Sequence, residues 1–326
     1  MVKQNKFTVS HAPFWHDGDS IKAMNINIMA ALLPATLFGI VQFGMPALGV
    51  ICLSIASAMA WEALFSFISK RPIIIHDYNA AVIGMVFGMM LPATIPWWVV
   101  IIGTFVSVIV GQQIFGGIGS NPFNPAVIGI AITSLSWKSL FDFDSALVNY
   151  QFDFTALDPL GALKHQGPQI VDMFSLSSLL MGGQVGAIGS IFGLGIILGG
   201  IYLIIRGYIR WEISVAYVAG IILTAWIFNI TDPSKYASPM FHLFTGYTLL
   251  GAFFLATETS SSPVNLIPML IYGAMGGFMT ILIRNIGVYP DGTIYAILLI
   301  NLINPLIDKI RPKAFGKCKR SKQCVK

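Results

Sequence analysis

Long apolar runs separated by short polar breaks recur along almost the whole chain, near 23–43, 45–68, 79–94, 96–116, 123–137, 186–206, 213–230, 241–257, 263–283 and 291–308. A helix needs about 20 mostly apolar residues to cross a bilayer, because hydrocarbon leaves every backbone N–H and C=O to be paired internally. The pattern therefore predicts ten membrane helices and an all-α, polytopic chain. The third, fifth, eighth and tenth runs are close to the lower length limit or are interrupted by Pro92, Pro125 or Pro305. They are expected as half-spanning or broken helices, which persist only where protein or a cavity covers the break.

A second regularity lies above the helix pattern. Gly84 and Pro96, in the run that starts at Ile83, recur as Gly251 and Pro263 at an offset of 167, and Pro122 recurs as Pro290 at 168. Each half then ends in the same unit: short helix, polar Pro-containing turn, long helix, Gly/Pro/Asn loop, short helix. Five spans is an odd number, so two such halves must face opposite ways across the membrane, an arrangement that places sites between the repeats. The expected organisation is an N-terminal segment 1–22, a first repeat 23–137, an acidic loop 138–185, a second repeat 186–308 and a basic tail 309–326.

Composition agrees, with 56% hydrophobic and 10% charged residues, against about 25% charged in ordinary soluble domains. Residues 1–22 carry Lys3, Lys6, His11, His16, Asp17, Asp19 and Lys22 and have no apolar core, so the first span is expected to serve as the targeting signal. Threading ten spans puts Lys3, Lys6, Lys22, Lys70, Arg71, Arg206, Arg210 and the eight basic residues after 308 on one side. Only Lys138, Lys164, Lys235 and Arg284 fall on the other. The positive-inside rule then places both termini in the cytoplasm and the loop with Asp142, Asp144, Asp153, Asp158 and Asp172 on the outer face. The net charge of +5 comes mostly from the tail, which suits anionic lipid headgroups and gives no reason to invoke nucleic acid. Cys52 lies in a span, and Cys318 and Cys324 in the tail lack the companions a metal site needs.

The chemistry-bearing positions are few. "MGGQVGAIGSIFG", residues 181–193, sets Gly183 and Gly186 among five glycines at the end of the acidic loop. Glycines four apart, as in Gly182/Gly186, Gly189/Gly193 and Gly195/Gly199, allow helices to pack closely; free backbone N–H groups at a helix start can equally hold a phosphate. "NPFNP" places Asn121 and Asn124 at a break between spans. Their amides either satisfy backbone freed by Pro122 and Pro125 or bind the edge of a heterocycle. Carboxylates in apolar spans need a partner or an ion. Glu62 and Glu258, the latter beside Thr257 and Thr259, are the candidates for an ion pathway, while Asp77 is expected to pair with Arg71 and Asp291 of "YPDGT" to cap the tenth span. No nucleotide phosphate loop, CxxC pair or zinc signature is present.

"GGIGSNPFNPAVIG" (116–129), "GAFFLATETSSSP" (251–263) and "RNIGVYPDGTIYAILLINLINPLID" (284–308), with the early "SHAPFWHDGDSIKAMNINIMAALLPA", resemble the D subunit of Rnf ion-translocating complexes and the related B subunit of sodium-pumping NADH:quinone reductase. The likeness spans about residues 9–310. It implies ten helices in two inverted repeats with a fold like urea and ammonium transporters, and a flavin held within a multi-subunit redox enzyme of the inner membrane that includes iron–sulfur, NADH-binding and flavin subunits.

In that family a Thr at the end of the outer glycine stretch carries FMN through a phosphoester. The matching residues here are Val185, Gly186, Ala187 and Ile188. Isoleucine has no hydroxyl to esterify, so the resemblance implies a non-covalent flavin, FMN or riboflavin. Ser190 retains an oxygen, but on a helix a two-residue shift turns a side chain about 200° away. The relative's non-covalent riboflavin site carries over to Asn121 and Asn124. The expected function is a membrane subunit that couples ferredoxin- and NAD-linked electron transfer to Na⁺ or H⁺ movement, with no complete active site of its own. A solute channel on the same scaffold and a subunit that has lost its redox centre are the alternatives.

Overall fold

The computed structural model describes residues 19–71, 75–146, 150, 154 and 157–311. Lys3, Lys6, His11, His16, Asp17, Asp153, Cys318, Cys324 and the tail beyond 311 lie outside them. Among the described residues every regular element is helical: α1 (Ile21–Phe43), α2 (Met45–Ile68), α3 (Asn79–Met89), α4 (Trp97–Phe105) and α5 (Pro125–Ser136) come first. Short helices α6 (Phe143–Ala146), α7 (Pro159–Gln166) and α8 (Leu176–Met181) fill the connecting segment. Then follow α9 (Gly193–Ile205), α10 (Trp211–Thr231), α11 (Pro239–Phe244), α12 (Thr248–Leu250), α13 (Leu266–Ile286) and α14 (Thr293–Ile307).

Five of these stretches, Ile21–Phe43, Met45–Ile68, Trp97–Phe115, Trp211–Thr231 and Leu266–Ile286, are long and apolar enough to cross a membrane, and α3, α5, α9 and α14 are shorter apolar helices. Their outer faces expose large apolar side chains such as Val41, Ile205, Leu223 and Leu302, a surface suited to lipid and costly in water. The chain is a multi-pass membrane protein.

Local chemistry sets the helix ends. Ser20 accepts a hydrogen bond from the Ala23 N–H and starts α1, which stops at Gly44 with φ of 72°, and Pro46 sits in the first turn of α2. Asp77 receives the Asn79 N–H at 3.1 Å and so begins α3; the expected Asp77–Arg71 pair does not form, and Arg71 lies over the Phe65 ring instead. A capping carboxylate satisfies an orphan amide in the first turn, a closer and stiffer partner than a long side chain across a loop. Helix α4 runs on into a π-helical turn at Val106–Val110, and α12 into another at Gly251–Leu255.

Two span limits need correction. The third helix stops at Met89 rather than near 94, because Pro92 lacks the N–H that would continue it and disfavours helical backbone at Leu91. The sixth begins at Gly193 rather than 186, and residues 183–192 are irregular.

Small residues then decide how closely the helices meet. A methyl group on Gly199 would overlap the Ala31 carbonyl oxygen, so α9 lies with its backbone against α1; Gly277 of α13 meets the Tyr217 carbonyl of α10 in the same manner. Of the predicted four-apart glycine pairs only Gly195/Gly199 falls within a helix.

The irregular segment 183–192 also completes a broken end. Met89, Met90 and Leu91, all fully buried, finish α3 with carbonyls that point out of the helix. Gly189 donates to Met89 O at 2.8 Å, the Tyr247 hydroxyl to Met90 O at 2.8 Å and the Ile188 N–H to Leu91 O at 3.1 Å. Residues before position 138 and after position 185 are thereby joined by hydrogen bonds at one buried point.

Candidate functional site

A cavity of about 590 Å³ opens between the connecting segment and the ends of the long helices. It lies within the range of about 300–1,000 Å³ typical of small-molecule sites. Gly186, Ala187 and Ser190 form one wall, Asp142 and Asp144 another, Asp158, Lys164 and His165 of the α7 region a third, and Tyr247, Tyr289, Asp291 and Tyr295 the fourth.

The irregular backbone at 183–192 decides which of the sequence-predicted residues face it. Ile188 is fully buried and does not line the cavity, its N–H being held by Leu91 O. Ser190 does line it, with Oγ 3.3 Å from the Ala187 carbonyl. The expectation that Ser190 turns away rested on helical geometry, and there is no helix at this point. Gly183 stays outside the lining: it follows the left-handed Gly182 that ends α8, and its N–H closes on Ser178 O at 2.8 Å.

The polar framework behind the cavity was not legible as local motifs. Arg284 of α13 is buried and donates to the His242 carbonyl at 2.7 Å, to Thr248 Oγ1 at 2.7 Å and to Asp291 Oδ1 at 2.9 Å. Asp291 accepts in turn from the Thr293 N–H at 2.9 Å, as expected of a cap for α14, and from the Tyr247 N–H at 2.7 Å. Gly246, at φ of 65°, makes that last contact possible, since any side chain there would run into Asp291 and Leu160. Gln184 bonds the carbonyls of Leu179, Ile191 and Phe244, and Lys164 donates to the carbonyls of Arg284 and Gly287.

Asp158 caps α7, taking the Gly161 N–H at 2.9 Å, while its own N–H donates to Asp144 Oδ1 at 2.6 Å. Burial, with Asp144 adding repulsion, pushes the Asp158 carboxyl from its ordinary 3.8 up to about 7. The folded chain therefore holds this proton more tightly than the unfolded chain. That contribution to stability is complete below about pH 4 and is lost as pH rises to about 7. Asp158→Asn keeps the cap and removes the titration. Thermal melts of the two proteins should therefore coincide most nearly at low pH, with the variant becoming relatively more stable as pH rises from about 4 to 7 and the difference levelling off above that; parallel curves would contradict this.

A second cavity, about 90 Å³, is lined by Asn25, Asn79, Gln112, Asn124 and Glu258 among others. The structure brings Asn121, Asn124 and Glu258 together: Asn121 Nδ2 lies 3.3 Å from both Glu258 oxygens, and Asn124 Nδ2 donates to Leu255 O at 3.0 Å. Asn124 Oδ1 caps α5 through the N–H groups of Ala126 and Val127. Pro125 in the first turn of α5 removes a donor that would otherwise need a partner. Glu62 sits elsewhere, buried on α2 and reached by Gln113 Nε2 at 3.3 Å.

The sequence pattern of the NQR2, RnfD, RnfE family matches residues 8–316. The chain is 35% identical over 323 residues to the D subunit of the proton-translocating ferredoxin:NAD(+) oxidoreductase complex of Clostridium ljungdahlii, covering 97% of this chain and 98% of that one. It is 33% identical over 327 residues to the D subunit of the Na(+)-translocating ferredoxin:NAD(+) oxidoreductase complex of Acetobacterium woodii, covering 99% of both. To the D subunit of the ion-translocating oxidoreductase complex of Aeromonas salmonicida it is 32% identical over 95% of this chain and 99% of the other. With matches that span nearly the whole chain, this chain belongs to the NQR2, RnfD, RnfE family.

Proposed function

We propose that this protein is the D-type membrane subunit of an Rnf-type complex, in which it holds a flavin without a covalent bond and helps couple electron flow between ferredoxin and NAD to the movement of Na⁺ or H⁺. The 590 Å³ cavity carries this reading, because its wall includes Gly186, Ala187 and Ser190 of the stretch that holds flavin in the family. The residues fit such a group: Tyr289 and Tyr295 supply aromatic faces, with ring centres 4.6 Å apart, and Asp144, Ser190 and the backbone supply polar contacts. A flavin bound there supplies one- and two-electron transfer, while this chain orients it and shields it from water.

In this reading the apolar helices form two inverted halves of five spans each in the inner membrane, the broken 241–257 run counting as one span. Both termini are cytoplasmic, and the 138–185 segment covers the cavity from the outer side. Glu258, half-buried, with Asn121, and Glu62, buried, with Gln113, are the acidic points along an ion path, each a carboxylate with an amide partner that a cation or proton could exchange with. NADH and iron–sulfur sites belong to the other subunits.

The purified chain should release flavin into acid extract at close to one per chain and show no flavin fluorescence in the denatured protein. Extract without flavin would remove the redox role. A fluorescent denatured band would mean that an oxygen, Ser190 first, has taken the place of the missing threonine.

A further inference from the structure

We propose that the large cavity selects a flavin without a phosphate, riboflavin, over FMN. The inference rests on the flavin reading above and adds which flavin the chain accepts.

Phosphate groups are held where the amides of a helix start converge, or where Arg and Lys have free N–H groups to offer. Two of the helices that begin at this cavity wall, α7 and α14, have starts already occupied by carboxylates of the protein. Asp158 takes the Leu160 and Gly161 N–H groups of α7, and Asp291 takes the Thr293 N–H of α14. An incoming phosphate would find the amides at both places already taken.

The remaining charges point the same way. Four carboxylates, Asp142, Asp144, Asp158 and Asp291, line the cavity against the two ammonium groups of Lys138 and Lys164. Lys164 is committed to the carbonyls of Arg284 and Gly287. Arg284 offsets Asp291 from behind and does not itself line the cavity. His165 and Asp142 both act on Asp144 and oppose each other there. With Asp291 offset by Arg284 and the Asp158 carboxyl holding its proton up to about pH 7, Asp142 and Asp144 are left facing Lys138 and Lys164, so the site offers no surplus of positive charge to hold a dianion.

The same carboxylates suit a sugar-alcohol chain, whose hydroxyls donate hydrogen bonds that carboxylate oxygens accept. Ser190 Oγ and the Ala187 carbonyl extend that polar wall. Position 188, a buried isoleucine, offers no alcohol through which a phosphate could be tethered.

The test is a titration of the flavin-free full chain in detergent with riboflavin and with FMN, followed by flavin fluorescence quenching. Chromatography of flavin released from the chain as isolated gives the second readout. Riboflavin should bind at least about tenfold more tightly than FMN and should be the flavin released. Asp142→Asn with Asp144→Asn should narrow the difference by strengthening FMN binding alone; Asp142→Asn by itself serves if the pair fails to fold. FMN binding as tight as riboflavin, FMN as the released flavin, or a preference unmoved by the variants would overturn the proposal while leaving a flavin-holding subunit intact. Failure of both flavins to bind would instead sink the flavin reading itself.

Discussion

Arg284→Met should destabilise the protein by about 3–5 kcal/mol, the typical result of removing one partner from a buried ion pair. Methionine fills a similar volume, so the loss is electrostatic rather than a cavity effect. The side chains of Arg284 and Asp291 are 2% and 14% exposed. Without the guanidinium, Asp291 keeps its charge with only backbone and hydroxyl donors around it, and the His242 carbonyl loses a donor at 2.7 Å. Because Asp291 also fixes the Tyr247 amide, the cavity wall loosens, and flavin binding should fall along with stability. Arg284→Lys should recover only part, since an ammonium cannot reproduce a planar fork that serves five partners. Adding Asp291→Asn to Arg284→Met should restore some of the loss by removing the stranded charge. Unfolding in denaturing detergent, compared across the four proteins, measures this directly; equal stability of the arginine and methionine forms would show that the pair contributes nothing.

The second large effect is steric. Gly199→Leu should separate α9 from α1, because even the first carbon of a side chain overlaps the Ala31 carbonyl oxygen. Overpacking of a close contact costs about 1–3 kcal/mol when neighbours can yield. Here the neighbour is backbone in the middle of a long helix, so the loss should lie at or beyond the upper end and appear as reduced folded yield. Ala31→Gly should not rescue the variant, since trimming a side chain leaves the carbonyl in place. Rescue by that substitution would show that the helices meet through side chains. Size-exclusion profiles and protease resistance of the three variants report the outcome.

The positions of the helices were legible because a bilayer imposes one rule on every residue it covers, and that rule is written in hydropathy. Boundaries within apolar sequence were less so. Residues 186–192 are as apolar as the helix they precede, and what unwinds them is the end of α3, a partner about a hundred residues earlier in the chain. The π-helical turns left no compositional trace. For Asn124 the sequence left open whether its amide serves backbone at the Pro125 break or a ligand, whereas Asp291 was legible as a cap from the turn that precedes α14. Its bond to Arg284 was not foreseen, although the two are seven residues apart, because it depends on the turn between α13 and α14. Asp158, Lys164, Gln184 and Tyr247 carried no motif. The first three reach the cavity only because the connecting segment folds back over the helices, and Tyr247 because the break between α11 and α12 turns toward it; a pattern read along the chain contains neither.

The knot of hydrogen bonds at Met89, Met90 and Leu91 bears on biogenesis. A ribosome delivers these residues to the membrane well before Ile188, Gly189 and Tyr247 exist, so for that interval three carbonyls stand without the donors that finally reach them. The early helices must then wait, half assembled, for the late ones. Two fragments cut within the connecting segment and expressed separately should each be short-lived, and should survive only when made together.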